Sequence, residues 1–126
     1  MKAESNPTIY AALIGDLHSA YWNIVQENTR RGIVQTRHQV CLHLSQLPAP
    51  RFYVSLSYAK RIINSMSRGL PRVSRHRYLL HRDIYTRWLS LPESERTDSA
   101  ILGILSQPAP SYYLSAVRIS KLLYKK

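Results

Sequence analysis

The sequence predicts an all-α fold of about six helices, and three observations carry that expectation. Apolar residues recur three and four positions apart through most of the chain. No convincing run alternates with a period of two. Ser, Thr or Asn stands before the periodic stretches, and Gly or Pro after them.

The first helix opens at Asn6-Pro7, with Asn6 as N-cap and Pro7 at the first helical position. It carries Ile9, Leu13, Leu17, Ala20, Tyr21 and Ile24 on one face and stops at Gly32. Thr36, with Gln39 three residues later, forms a capping box. The short helix it opens turns Val40, Cys41, Leu44 and Leu47 inward and ends at Pro48. Ser55 caps a third helix through Leu56, Ala59, Ile62, Ile63 and Met66, ended by Gly69 and Pro71. Ser74 caps a fourth, whose stripe is Leu80, Ile84, Trp88 and Leu91, closed by Pro92. The acidic stretch PESERTD is a loop, after which Thr97 or Asp98 caps a fifth helix with Ile101, Leu102 and Leu105. Pro108 stops it, and Ser115 caps a sixth helix bearing Ile119, Leu122 and Leu123.

The two halves run in parallel. Leu13, Leu17, Tyr21 and Ile24 correspond to Leu80, Ile84, Trp88 and Leu91 at constant spacing, and HLSQLPAP corresponds to ILSQPAP with one residue deleted. The expectation is a single domain over 1–126 built as a tandem duplication of a three-helix unit: long helix, short helix, Pro-Ala-Pro corner, helix. The units cover approximately 6–68 and 74–126, joined by a basic linker over 69–73. With only two copies, the halves are expected to pack on each other and not to extend as an open array.

Each corner reads as a helix stop, an aromatic plug and a cap. Pro48 and Pro108 remove a backbone donor, and Ala49 and Ala109, preceding prolines, are pushed to extended geometry. In extended chain neighbouring side chains alternate, so one ring of Phe52-Tyr53, and one of Tyr112-Tyr113, is expected inward and the other at the surface. An exposed ring beside Arg51 would suit base stacking. The connection of about eight residues is too long for a helix-turn-helix, which uses three or four.

Charge is the strongest global signal. Eighteen Lys and Arg face seven Asp and Glu, a net charge of +11, and thirteen of the eighteen are Arg. Guanidinium suits bidentate phosphate contact and stacking on bases, so a polyanionic partner is the natural counterpart. The densest region runs from Lys60 to Arg87 with Asp83 as its single acid. The expected nucleic-acid contacts are Lys60, Arg61, Arg68, Arg72, Arg75, Arg77, Tyr78, Arg82 and Tyr85, together with Arg51. On the fourth helix, Arg75, Tyr78, Arg82 and Tyr85 lie nearly opposite the apolar stripe, an interleaving that serves phosphate contact and ring stacking.

The reading is therefore a non-catalytic nucleic-acid-binding protein that grips the phosphate backbone, with RNA favoured over DNA. It would suit an accessory subunit of a larger nucleic-acid enzyme or ribonucleoprotein complex. The alternative is a helical adaptor or homo-oligomer that binds an acidic protein partner. No enzyme is expected: the sequence holds neither a nucleophile elbow nor a phosphate-cradling glycine loop. RHRYLLHRDIY gathers Arg, His and Tyr, but its neighbours point different ways around one helix. No metal or other cofactor is expected, since His38 and Cys41 share a face that His43 does not. The lone Cys41 fits a reducing compartment, no signal peptide is read, and no apolar run approaches the roughly 20 residues of a membrane span. A cytoplasmic protein without membrane contact is expected.

Overall fold

The computed structural model describes residues 7–69 and 73–124, so the expectations for Asn6, Pro71 and Arg72 lie outside the described residues. Among those residues the chain is all helical. Its elements are α1 (Pro7–Arg30), α2 (Arg37–Ser45), α3 (Leu56–Ser67), α4 (Arg75–Leu89), α5 (Asp98–Leu105) and α6 (Ala116–Leu123), with a 3₁₀ turn at Glu93–Glu95 before α5.

Local chemistry sets the boundaries. The Thr36 side chain accepts from the Gln39 N–H while Gln39 Oε1 accepts from the Thr36 N–H, at 3.1 and 2.8 Å, completing the capping box of α2. Ser55, Ser74 and Ser115 each accept a backbone N–H three residues on, from Tyr58, Arg77 and Arg118. Thr97, and not Asp98, does the same for α5 through Ala100. Each such cap stabilises its helix by about 1 kcal/mol. α1 stops at Gly32, whose φ of +69° is the left-handed geometry that glycine adopts without a Cβ clash. There the Gly32 N–H donates to Thr29 O and the Ile33 N–H to Asn28 O, the paired bonds of a Schellman stop.

Within each half only the first two helices pack on one another, α1 on α2 and α4 on α5. α6 lies against α1 and α2, while α3 lies against α4 and α5, so the last helix of each half is docked on the other half. The apolar faces read from the sequence supply the contact: Leu17, Leu44 and Ile119 on one side, Ile62 and Ile84 on the other, are almost completely buried. The two Pro-Ala-Pro corners meet between these groups. Ala49 and Ala109 form an antiparallel bridge, each N–H donating to the other's carbonyl at 2.9 Å. That reciprocal pairing satisfies backbone groups which the flanking prolines leave without helical partners.

No helix of the described residues is long and apolar enough to cross a membrane.

Candidate nucleic-acid interface

The corners correct one expectation. Neither Tyr53 nor Tyr113 is fully exposed, although the Arg51 guanidinium lies 5.6 Å over the Tyr53 ring. Phe52 and Tyr112 are buried, and Tyr53 and Tyr113 are half-buried. The rings stack across the junction, Phe52 on Tyr113 with centroids 6.1 Å apart and Tyr53 on Tyr112 at 5.9 Å. The Tyr53 hydroxyl donates to Asp16 Oδ2 and the Tyr113 hydroxyl to Asp83 Oδ2, both at 2.5 Å. Alternation does operate, but what lies on the second side is the carboxylate of the long helix. A tyrosine there buries its ring and bonds its hydroxyl, so it has little reason to remain in water. Tyr113 also leaves extended geometry, with φ at +58° and its N–H held by Ser111 Oγ at 2.9 Å. Arg51 is engaged at the same corner, its Nε donating to Phe52 O at 3.2 Å.

Burial first, and then the hydrogen bond to the carboxylate, push the Tyr53 and Tyr113 hydroxyls far above the ordinary tyrosine range. Tyr21 is pushed up to about 12, again by burial first and then by its hydrogen bond with Tyr124. Raised pKa values mean that the fold retains protons which the unfolded chain gives up. The contribution of these tyrosines to stability is therefore flat below the free tyrosine value of about 10 and falls as pH rises beyond it. In a spectrophotometric titration Tyr53 and Tyr113 are expected to ionise only as the helical signal is lost. A single smooth transition for all nine tyrosines, with the helical signal intact, would show that the buried hydroxyls are not held.

The predicted cations sort into engaged and disengaged groups. Lys60 Nζ sits 3.3 Å from Asp98, and Arg82 is 3.1 Å from Asp83, the same carboxylate that holds Tyr113. Arg61 and Arg68 on α3 and at its end, and Arg75 and Arg77 on α4, are exposed and have no carboxylate partner among the described residues. Tyr78 is exposed beside them, at 42%, whereas Tyr85 is half-buried. Arg87, beyond the predicted list, is structural: it lies 4.9 Å over the Phe52 ring and donates to Gln107 Oε1.

The same helix disperses the RHRYLLHRDIY constellation. His81 is buried, T-shaped against Tyr58, while Tyr78 and Arg82 face out. Burial, followed by the charge of Arg77, lowers the His81 pKa, and its Nδ1 has no hydrogen-bond partner among the described residues. Of the three candidate ligands on α2, His38 and His43 are exposed and Cys41 is fully buried.

The predicted residues border different depressions. Lys60 and Arg61 line a groove between α3, Trp88 and the start of α5. Arg77 instead lines a cleft of about 310 Å³ where the two corners meet, together with Tyr10, Tyr58, Tyr112, His76 and Arg118. Sequence reasoning missed Tyr10 and Arg118 as site residues. A correspondence of positions between the two halves of the sequence could have pointed to them. Tyr10 and Arg77 each stand three residues before the matched Leu13 and Leu80, and Tyr58 and Arg118 each stand three after the matched cap serines.

The chain matches no protein-family model, and no curated protein or solved structure resembles it significantly.

Proposed function

We propose that this is a non-catalytic nucleic-acid-binding protein that grips the phosphate backbone through α3, α4 and the segment joining them, with RNA favoured over DNA. The observation that carries this reading is the group of exposed guanidinium side chains, Arg61, Arg68, Arg75 and Arg77, without carboxylate partners among the described residues. Unneutralised cations held on packed helices repel one another, and a polyanion relieves that repulsion. The net charge of +11 extends the same argument to the chain as a whole.

A salt titration tests it. The logarithm of the RNA association constant is expected to fall linearly with the logarithm of salt concentration, by about 0.7 to 0.9 per phosphate contacted. Replacing Arg68 and Arg75 by Ala should shrink that slope by about 1 for each arginine. The melting temperature should barely change, because exposed substitutions usually shift stability by about 0.5 kcal/mol or less. Absence of binding at low salt to either RNA or DNA would end this reading.

The same reading takes the chain as one domain that arose by tandem duplication. Paired features at corresponding positions support it: Tyr53 to Asp16 and Tyr113 to Asp83, Phe52 on Tyr113 and Tyr112 on Tyr53, and the reciprocal Ala49–Ala109 bridge. Residues 1–69 alone should then pair with a second copy at high concentration, each α3 docking on the other. Light scattering that finds only monomer at every concentration speaks against that origin.

A further inference from the structure

The cleft between the corners has a chemistry different from the open arginine surface. Its walls are aromatic: Tyr10 is 38% exposed, Tyr112 is nearly buried, and Tyr58 stands between them in exposure. Its rim is cationic, with Arg77 arriving from α4 and Arg118 from α6, both exposed. No Asp or Glu is among the described residues that line it. The two nearby carboxylates, Asp16 and Asp83, are bonded to the hydroxyls of Tyr53 and Tyr113. An adjoining groove shares Tyr10 and Arg118 and continues along α6 past Lys121, again without a carboxylate among its described lining residues. The cleft's volume of about 310 Å³ lies at the small end of ligand pockets, far too small for a duplex.

We infer that this cleft takes one unpaired nucleotide of a single strand, with the base against the tyrosine walls and its phosphate at the rim, on Arg77 and Arg118. The neighbouring phosphates of the strand follow the Lys121 groove on one side. Aromatic faces accept any base by stacking, and guanidinium groups accept the phosphate, so the site selects for strand form and not for sequence. A base paired within a duplex cannot enter without being flipped out, at the cost of unstacking. The inference rests on the nucleic-acid reading above and adds to it a preference for single strands.

The test is equilibrium binding of a short fluorescein-labelled RNA, alone and annealed to its complement, by fluorescence anisotropy. The single strand is expected to bind more tightly than the duplex. Tyr10→Ala and Arg118→Ala should each weaken single-strand binding by about tenfold, while Tyr10→Phe, which keeps the stacking face, should retain it. Circular-dichroism melting establishes that each variant is folded. Should Tyr10→Ala fail to fold, Arg118→Ala carries the test, because that side chain is exposed and forms no hydrogen bond with the described residues. Unchanged single-strand binding in Arg118→Ala and in folded Tyr10→Ala would overturn the cleft. So would equal affinity for strand and duplex. Either result leaves the proposal for the α3–α4 surface standing, whereas a wild-type protein that binds neither form at low salt removes both.

Discussion

Replacing Phe52 by Ala should cost about 3–5 kcal/mol, the range for deleting a fully buried phenyl ring. For a domain of this kind, whose whole stability is of the order of 5–15 kcal/mol, that is a large share. The ring is 1% exposed and sits where the two halves join. It stacks on Tyr113, lies under the Arg87 guanidinium, and is carried by a backbone N–H that donates to Leu105 O at the end of α5. Truncation therefore removes apolar burial and opens a cavity bordered by groups from three segments, which cannot all collapse inward together. Urea unfolding followed by circular dichroism provides the measurement, with Tyr78→Ala on the exposed face of α4 as comparison. A loss no greater than that of Tyr78→Ala would mean that the corner junction does not carry the fold.

Cutting the chain in the basic linker should have an effect at least as large. Residues 1–69 alone keep α1, α2 and α3 but lose α6, which covers α1 and α2, and lose α4 and α5, on which α3 rests. α2 has nine residues, and α5 and α6 have eight each. Isolated helices shorter than about 12–15 residues are marginal in water, so these depend on their tertiary contacts. Each half alone, at low concentration, is expected to lose most of its helical signal and its cooperative melt. Mixing the halves should restore both, since their contacts do not require the linker to be continuous. A dilute first half that melts cooperatively as a monomer would show that the exchanged helices contribute little.

The helices were legible in the sequence for a local reason. Thr36 with Gln39, and Ser55, Ser74, Thr97 and Ser115, compete for nearby backbone N–H groups within three residues, and Gly32 satisfies a backbone angle. These are short-range interactions, so the order of residues contains them in full. Leu17, Leu44, Ile62, Ile84 and Ile119 were likewise readable as buried, because a helical period fixes which face is apolar. His81 was not. It sits in a polar stretch, and only the proximity of Tyr58 on α3 explains its burial.

The candidate site was legible in composition but not in arrangement. The sequence showed where cations are dense, but not that Asp98 holds Lys60 and Asp83 holds Arg82, leaving Arg61, Arg68, Arg75 and Arg77 without acidic partners among the described residues. Nor did it show that Tyr10 and Arg118, more than a hundred positions apart, border the same cleft.

By itself, then, the sequence determined the helices, their caps, their apolar faces and the excess of positive charge. Tertiary structure alone decided which face meets which: α3 against the second half, α6 against the first, Ala49 bridged to Ala109, and the corner tyrosines turned onto Asp16 and Asp83. The reason is that burial is indifferent to the identity of the covering surface. An apolar stripe specifies that it must be covered, while the covering partner is selected by shape and by the joint satisfaction of polar groups far apart in the chain.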